Sequence, residues 1–131
     1  MNTKKPLHTV SVASTAFTIE AYWDGKGVAP AIRFSYEKEG TEYRSGIEFR
    51  RVLAMRKRSE RCCTAWHIED AYDTLVEVEA SSWVQEMRAD TDKQWRDKWE
   101  MHHYMIYLDS VGCFEAIAES WVALPEEEVV H

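Results

Sequence analysis

The chain has 131 residues, 45% of them hydrophobic and 30% charged, with 6 Trp, 6 Tyr and 4 Phe. That length fits one domain, 1–131, and that apolar content excludes a disordered chain, because the burial it allows offsets the entropy lost on folding. No run approaches the roughly 18 consecutive apolar residues that span a bilayer, and Met-Asn-Thr-Lys-Lys-Pro opens without a signal-type stretch, so the sequence predicts a cytoplasmic protein without a membrane partner.

The net charge of −7 is unevenly spread. Met1–Trp66 carries 12 Lys+Arg against 7 Asp+Glu, and the rest only 4 against 16, which gives halves of +5 and −12. An overall negative charge argues against nucleic acid as the main partner, since a polyanion meets a repulsive far field.

In chain order, Phe17, Ile19, Ala21 and Trp23 alternate with polar neighbours and predict a first strand, closed by a turn at Asp24-Gly25-Lys26-Gly27. Ile32, Phe34 and Tyr36 predict a second, closed by Glu39-Gly40, and the period-two pattern from Tyr43 to Met55 predicts a third. Residues 68–80 fit either a helix, through Ile68, Ala71, Tyr72, Leu75 and Val76, or a strand, through Val76-Glu77-Val78-Glu79-Ala80. Ser82 with Gln85 predicts a helix starting at Trp83, and Thr91 with Gln94 predicts a second piece carrying Trp95 and Trp99. Tyr104, Ile106 and Leu108, the turn Asp109-Ser110-Val111-Gly112, and Phe114, Ala116, Ala118 and Val122 predict a terminal hairpin. Its Glu115 and Glu119 are placed on the solvent face, where Glu115→Ala is expected to be nearly neutral. The fold class is α+β: a curved antiparallel sheet of about five or six strands with one helical layer and a C-terminal β-hairpin.

Chemistry is sparsely signalled. Cys62, Cys63 and Cys113 are odd in number and lack C-x-x-C spacing, which predicts reduced thiols, no zinc and no cofactor. Among His8, His67, His102, His103 and His131, the adjacent His102 and His103 point to opposite faces of a strand and cannot both ligate one ion without a bulge, and no metal is predicted. His67 beside Glu69, Asp70 and Asp73 has the makings of a base with an orienting carboxylate, or of a solvated acidic turn. No G-x-S-x-G, H-E-x-x-H, Walker A or dinucleotide fingerprint occurs. The basic run Arg50, Arg51, Arg56, Lys57, Arg58 and Arg61 suits a phosphate strip, a guarded sheet edge or pairing with the acidic half.

The stretch from His103 to Trp121, with Ser82-Trp83-Val84 upstream, resembles small stand-alone bacterial proteins of unknown function that end in a comparable strand pair. In size, acidity and α+β layout the chain is also similar to some polymorphic-toxin immunity proteins. The resemblance covers about the last half of the chain. It implies a compact interaction or accessory protein and assigns no active-site residue.

Two functional readings follow. The first is a non-enzymatic binding protein, of immunity type, whose acidic surface, with Glu69, Asp73 and Glu77 at i, i+4 and i+8, meets a basic protein such as a nuclease. The second is a small-molecule-binding domain or small enzyme with a pocket between sheet and helices, lined by Trp66, His67, Trp83, Trp95, Trp99 and Tyr104. The oligomeric state, a homodimer included, stays open.

Overall fold

The alternation at Ile32, Phe34 and Tyr36 forms strand β3 (Ala31–Lys38), joined to β4 (Thr41–Arg50) by Glu39 and Gly40, both at positive φ (51° and 80°). The computed structural model to which these strands belong describes residues 3–25 and 29–130. Lys26 and Gly27 of the predicted first turn, and His131, lie outside the described residues.

The remaining strands are β1 (Lys4–Thr9), β2 (Tyr22–Asp24), β5 (Ala54–Ser59), β6 (Thr74–Val78), β7 (His102–Leu108), β8 (Gly112–Ala118) and β9 (Ser120–Glu128). The helices are α1 (Ala65–Ile68), α2 (Ser82–Asp90) and α3 (Lys93–Arg96). The protein is α+β with antiparallel sheets, as its pattern predicts, and the nine strands among the described residues divide between a five-stranded sheet, β1-β6-β7-β8-β5, and a four-stranded sheet, β2-β3-β4-β9. Among the described residues no helix is long and apolar enough to cross a membrane.

Two breaks create the second sheet, and alternation alone hides both. The third predicted strand stops at Arg51, whose φ of 53° ends the ladder; Leu53 N–H then donates to the Ile117 carbonyl at 2.8 Å, and β5 continues in the other sheet. Opposite it, β8 ends at Ala118, Glu119 N–H donates to the Arg50 carbonyl at 3.0 Å, and Val122, assigned by pattern to the return strand, lies in β9. Segments 41–59 and 112–128 are therefore one antiparallel ribbon bent at a corner, each arm belonging to a different sheet.

Local chemistry accounts for the other departures. Ser14–Ala16 forms a 3-10 turn, so only Tyr22–Asp24 of the first predicted strand is laddered, while Phe17 bridges Tyr36 and stacks on Phe34 with ring centroids 4.6 Å apart. Residues 68–80 contain the end of α1 and the strand β6, separated by a turn in which Asp70 and Asp73 take positive φ (63° and 54°). The helix caps fall one residue from their predicted places: Ser81 Oγ accepts from Val84 N–H, and Asp92 accepts from Gln94 N–H. Thr91 instead donates its hydroxyl to the Met87 carbonyl.

The main core lies between the sheets. Ile32, Phe34, Tyr36, Ile47 and Phe49 on one side meet Leu75, Tyr104, Ile106, Leu108 and Phe114 on the other. The outer face of the five-stranded sheet carries Val76, Val78, Met105, Tyr107 and Cys113, partly covered by Trp66 of α1 and by α2. The terminal hairpin β7–β8 is thus buried on both faces.

Candidate functional site

Side chains alternate, so His103, Glu115 and Arg56 of adjacent strands β7, β8 and β5 project together from the outer face, beneath the start of α2. Ala80, at φ 53°, turns the chain sharply between β6 and α2 and sets Ser81 over them. Ser81 Oγ lies 2.7 Å from His103 Nδ1, and His103 Nε2 lies 2.7 Å from Glu115 Oε1. Arg56 closes the series with Nε donating to Glu115 Oε2 at 2.9 Å and Nη2 to Oε1 at 3.2 Å. Trp83 roofs it: the Arg56 guanidinium sits 3.8 Å from its ring centroid, and its edge meets the His103 ring at 5.1 Å.

This corrects the placement of Glu115 in solvent. Its residue is 2% exposed, and Ser81 and His103 are 5% and 4% exposed. Burial pushes the Glu115 carboxyl up, but hydrogen bonds from His103 and Arg56 and the guanidinium charge outweigh it and bring the pKa down to about 2. Glu115 is therefore anionic and accepts from His103 Nε2–H, which leaves Nδ1 facing the Ser81 hydroxyl. Beside this series a cavity of about 320 Å³ is walled by Glu77, Glu79, Ser81, Gln85, Arg88 and His103.

The other predicted site residues disperse. Glu69, Asp73 and Glu77 share no helical face: Glu69 caps the end of α1, Asp73 is buried and accepts from Ser14 N–H at 3.1 Å, and Glu77 on β6 meets His102 Nδ1 at 2.8 Å. His67 spends Nδ1 on the Thr64 N–H at 2.9 Å, as a helix cap, and not on a carboxylate. Burial, then the Arg58 charge, lowers its pKa. Trp66 packs under Lys4, whose ammonium is 4.4 Å from its ring centroid, while Tyr104 packs between the sheets on Phe49. The basic run also splits: Arg51 pairs Glu119 at 3.1 Å, Arg58 caps the Cys62 carbonyl at 3.2 Å, and Lys57 faces Phe114 on the opposite side from Arg56. Among the described residues no three His, Cys, Asp or Glu side chains converge as a metal site needs.

Trp95 and Trp99 form a different surface. Their rings stack at 6.0 Å with planes 12° apart, yet remain 42% and 39% exposed. Trp99, Val52 and Leu53 line a largely apolar groove of about 330 Å³ rimmed by Glu100 and by the Arg51–Glu119 ion pair. Along α2–α3 and the residues that follow, Glu86, Asp90, Asp92, Asp97 and Glu100 are exposed, as are Lys93 and Lys98, the latter with its ammonium 5.1 Å from the Trp95 ring centroid. The arginines of this segment turn inward instead, Arg88 to the Arg96 carbonyl and Arg96 to those of Ala89 and Thr91.

Comparison with protein-family models, with curated proteins and with solved structures finds no match to this chain.

Proposed function

We propose that the protein is a binding protein whose α2–α3 arm docks a basic protein partner. The observation that carries this reading is the exposed Trp95–Trp99 stack bordering an apolar groove, on an arm whose exposed charges are five carboxylates against Lys93 and Lys98, with Arg88 and Arg96 bonded to backbone carbonyls. Rigid, partly exposed tryptophans are the residue type that anchors protein interfaces, and the acidic rim supplies both steering and selectivity toward a cationic surface. The partner class is the one implied by the immunity-like resemblance, a basic protein such as a nuclease. The docking surface differs from the predicted Glu69, Asp73 and Glu77, because burial of Asp73 leaves that set without a common face.

The test begins with affinity capture on wild-type protein and on Trp95→Ala and Trp99→Ala variants. A protein retained by the wild type is identified by mass spectrometry, purified, and titrated at low and high salt. The expected partner is basic, binds more weakly as salt rises, and loses about 30-fold in affinity on removal of either tryptophan, the effect of a hot-spot residue. A partner of acidic or neutral surface, one held equally by both variants, or none would overturn the proposal.

A further inference from the structure

The docking arm leaves the buried Ser81–His103–Glu115 series without a part. We propose that Ser81 is a nucleophile, with His103 as its general base and Glu115 as the group that orients the base, and that the protein transfers acyl groups from short carboxylic esters admitted to the adjoining cavity.

Serine attack needs a base within hydrogen-bond reach, a third group fixing the base's tautomer, donors for the developing oxyanion, and room for the substrate. The first two are present at 2.7 Å each. Arg56 keeps Glu115 anionic, so that carboxylate holds the proton of His103 on Nε2 and stabilises the imidazolium formed when Nδ1 takes the Ser81 proton. For the third, oxyanion stabilisation requires the N–H of Ser82, next to the nucleophile at the start of α2, where backbone N–H groups lack intrahelical carbonyls and the helix dipole favours negative charge; the Val84 N–H is already donated to Ser81 Oγ. For the fourth, Ser81 and His103 both face the cavity of about 320 Å³, which accommodates a short acyl group.

In the first step the Ser81 Oγ–acyl carbon bond forms, the proton passes from Oγ to His103 Nδ1, and the bond to the leaving alkoxide breaks as that alkoxide takes the proton back. Water then repeats the sequence against the acyl-serine, releasing a carboxylic acid and restoring Ser81. No oxidant or reductant enters. A network that merely pins α2 to the sheet makes the same hydrogen bonds but never acylates Ser81.

The experiment incubates the full chain with p-nitrophenyl acetate and, separately, with a fluorophosphonate probe, followed by intact mass and peptide mapping. The expected result is a single adduct on Ser81, absent in Ser81→Ala. His103→Gln should acylate about 100-fold more slowly, the scale of a lost general base, with folding checked by circular dichroism. Glu115→Gln, a change in a positioning residue, should lower kcat for p-nitrophenyl acetate while KM stays within twofold. Absence of an adduct on the wild type, an adduct at another residue, or an unchanged rate in His103→Gln would overturn the proposal. Because the wild-type map alone locates the adduct, the outcome does not depend on whether Ser81→Ala folds.

Discussion

Glu115→Ala is the most informative substitution for the fold. The change leaves the His103 Nε2–H, on a side chain 4% exposed, without an acceptor and releases Arg56 from its bidentate pair. An unsatisfied buried donor costs about 1–3 kcal/mol, and breaking a buried ion pair from one side costs about 3–5 kcal/mol. Arg56 is 46% exposed and recovers hydration, so the lower end applies and the expected loss is about 3 kcal/mol. For a domain of this size that is a fall in Tm of roughly 12 °C. The control is Glu119→Ala, four residues along, whose partner Arg51 is 75% exposed and whose loss should cost at most about 1 kcal/mol. Urea unfolding followed by tryptophan fluorescence measures both. If the two variants lie within about 0.5 kcal/mol of each other, the buried network does not hold α2 to the sheet.

Three further outcomes are expected. Because the Glu115 pKa is depressed, its contribution to stability is complete above the ordinary carboxylate range and fades as pH falls from about 4.3 toward about 2; Glu115→Gln should flatten unfolding free energy against pH over that interval. Phe114→Ala, at a site 1% exposed, should cost about 3–5 kcal/mol by opening a cavity between the sheets, and Ile106→Asp at least as much by burying an unpaired charge, both read by urea titration. Iodoacetamide mapped by mass spectrometry under native conditions should modify the exposed Cys62 and spare Cys113, whose thiol is buried and whose pKa burial raises strongly.

Much of the fold is legible from period-two patterning because β3, β4 and the β7–β8 hairpin pack their apolar faces as alternation requires. What alternation does not encode is where a strand changes sheets. Arg51 takes a positive φ without being glycine, and the single mark of the bend in Phe49-Arg50-Arg51-Val52-Leu53 is a charge at a position that alternation assigns to the apolar face. The acidic helical face fails for a related reason: Asp70 and Asp73 adopt turn conformations that interrupt any helix through 68–80. Alternation places Glu115 in solvent only on the assumption that every alternating carboxylate is solvated. Its neighbours on the same face, Cys113 and Ile117, are apolar, and His103, Met105 and Tyr107 share that face in the next strand, which is the signal of a covered surface with an internal ion pair. The exposure of Trp95 and Trp99 has no sequence signal, since i, i+4 tryptophans read equally as core.

The bent ribbon has a consequence for how the molecule comes apart. Its two arms form β4–β9 in one sheet and β5–β8 in the other, and the bond from Leu53 to Ile117 and that from Glu119 to Arg50 cross at the bend. Neither sheet can open without pulling on the strands of its neighbour, so partial unfolding confined to one layer has no seam along which to start. Amide hydrogens of Ile47 and of Phe114, in different sheets, should then exchange through the same global event, with matching free energies and a single calorimetric transition.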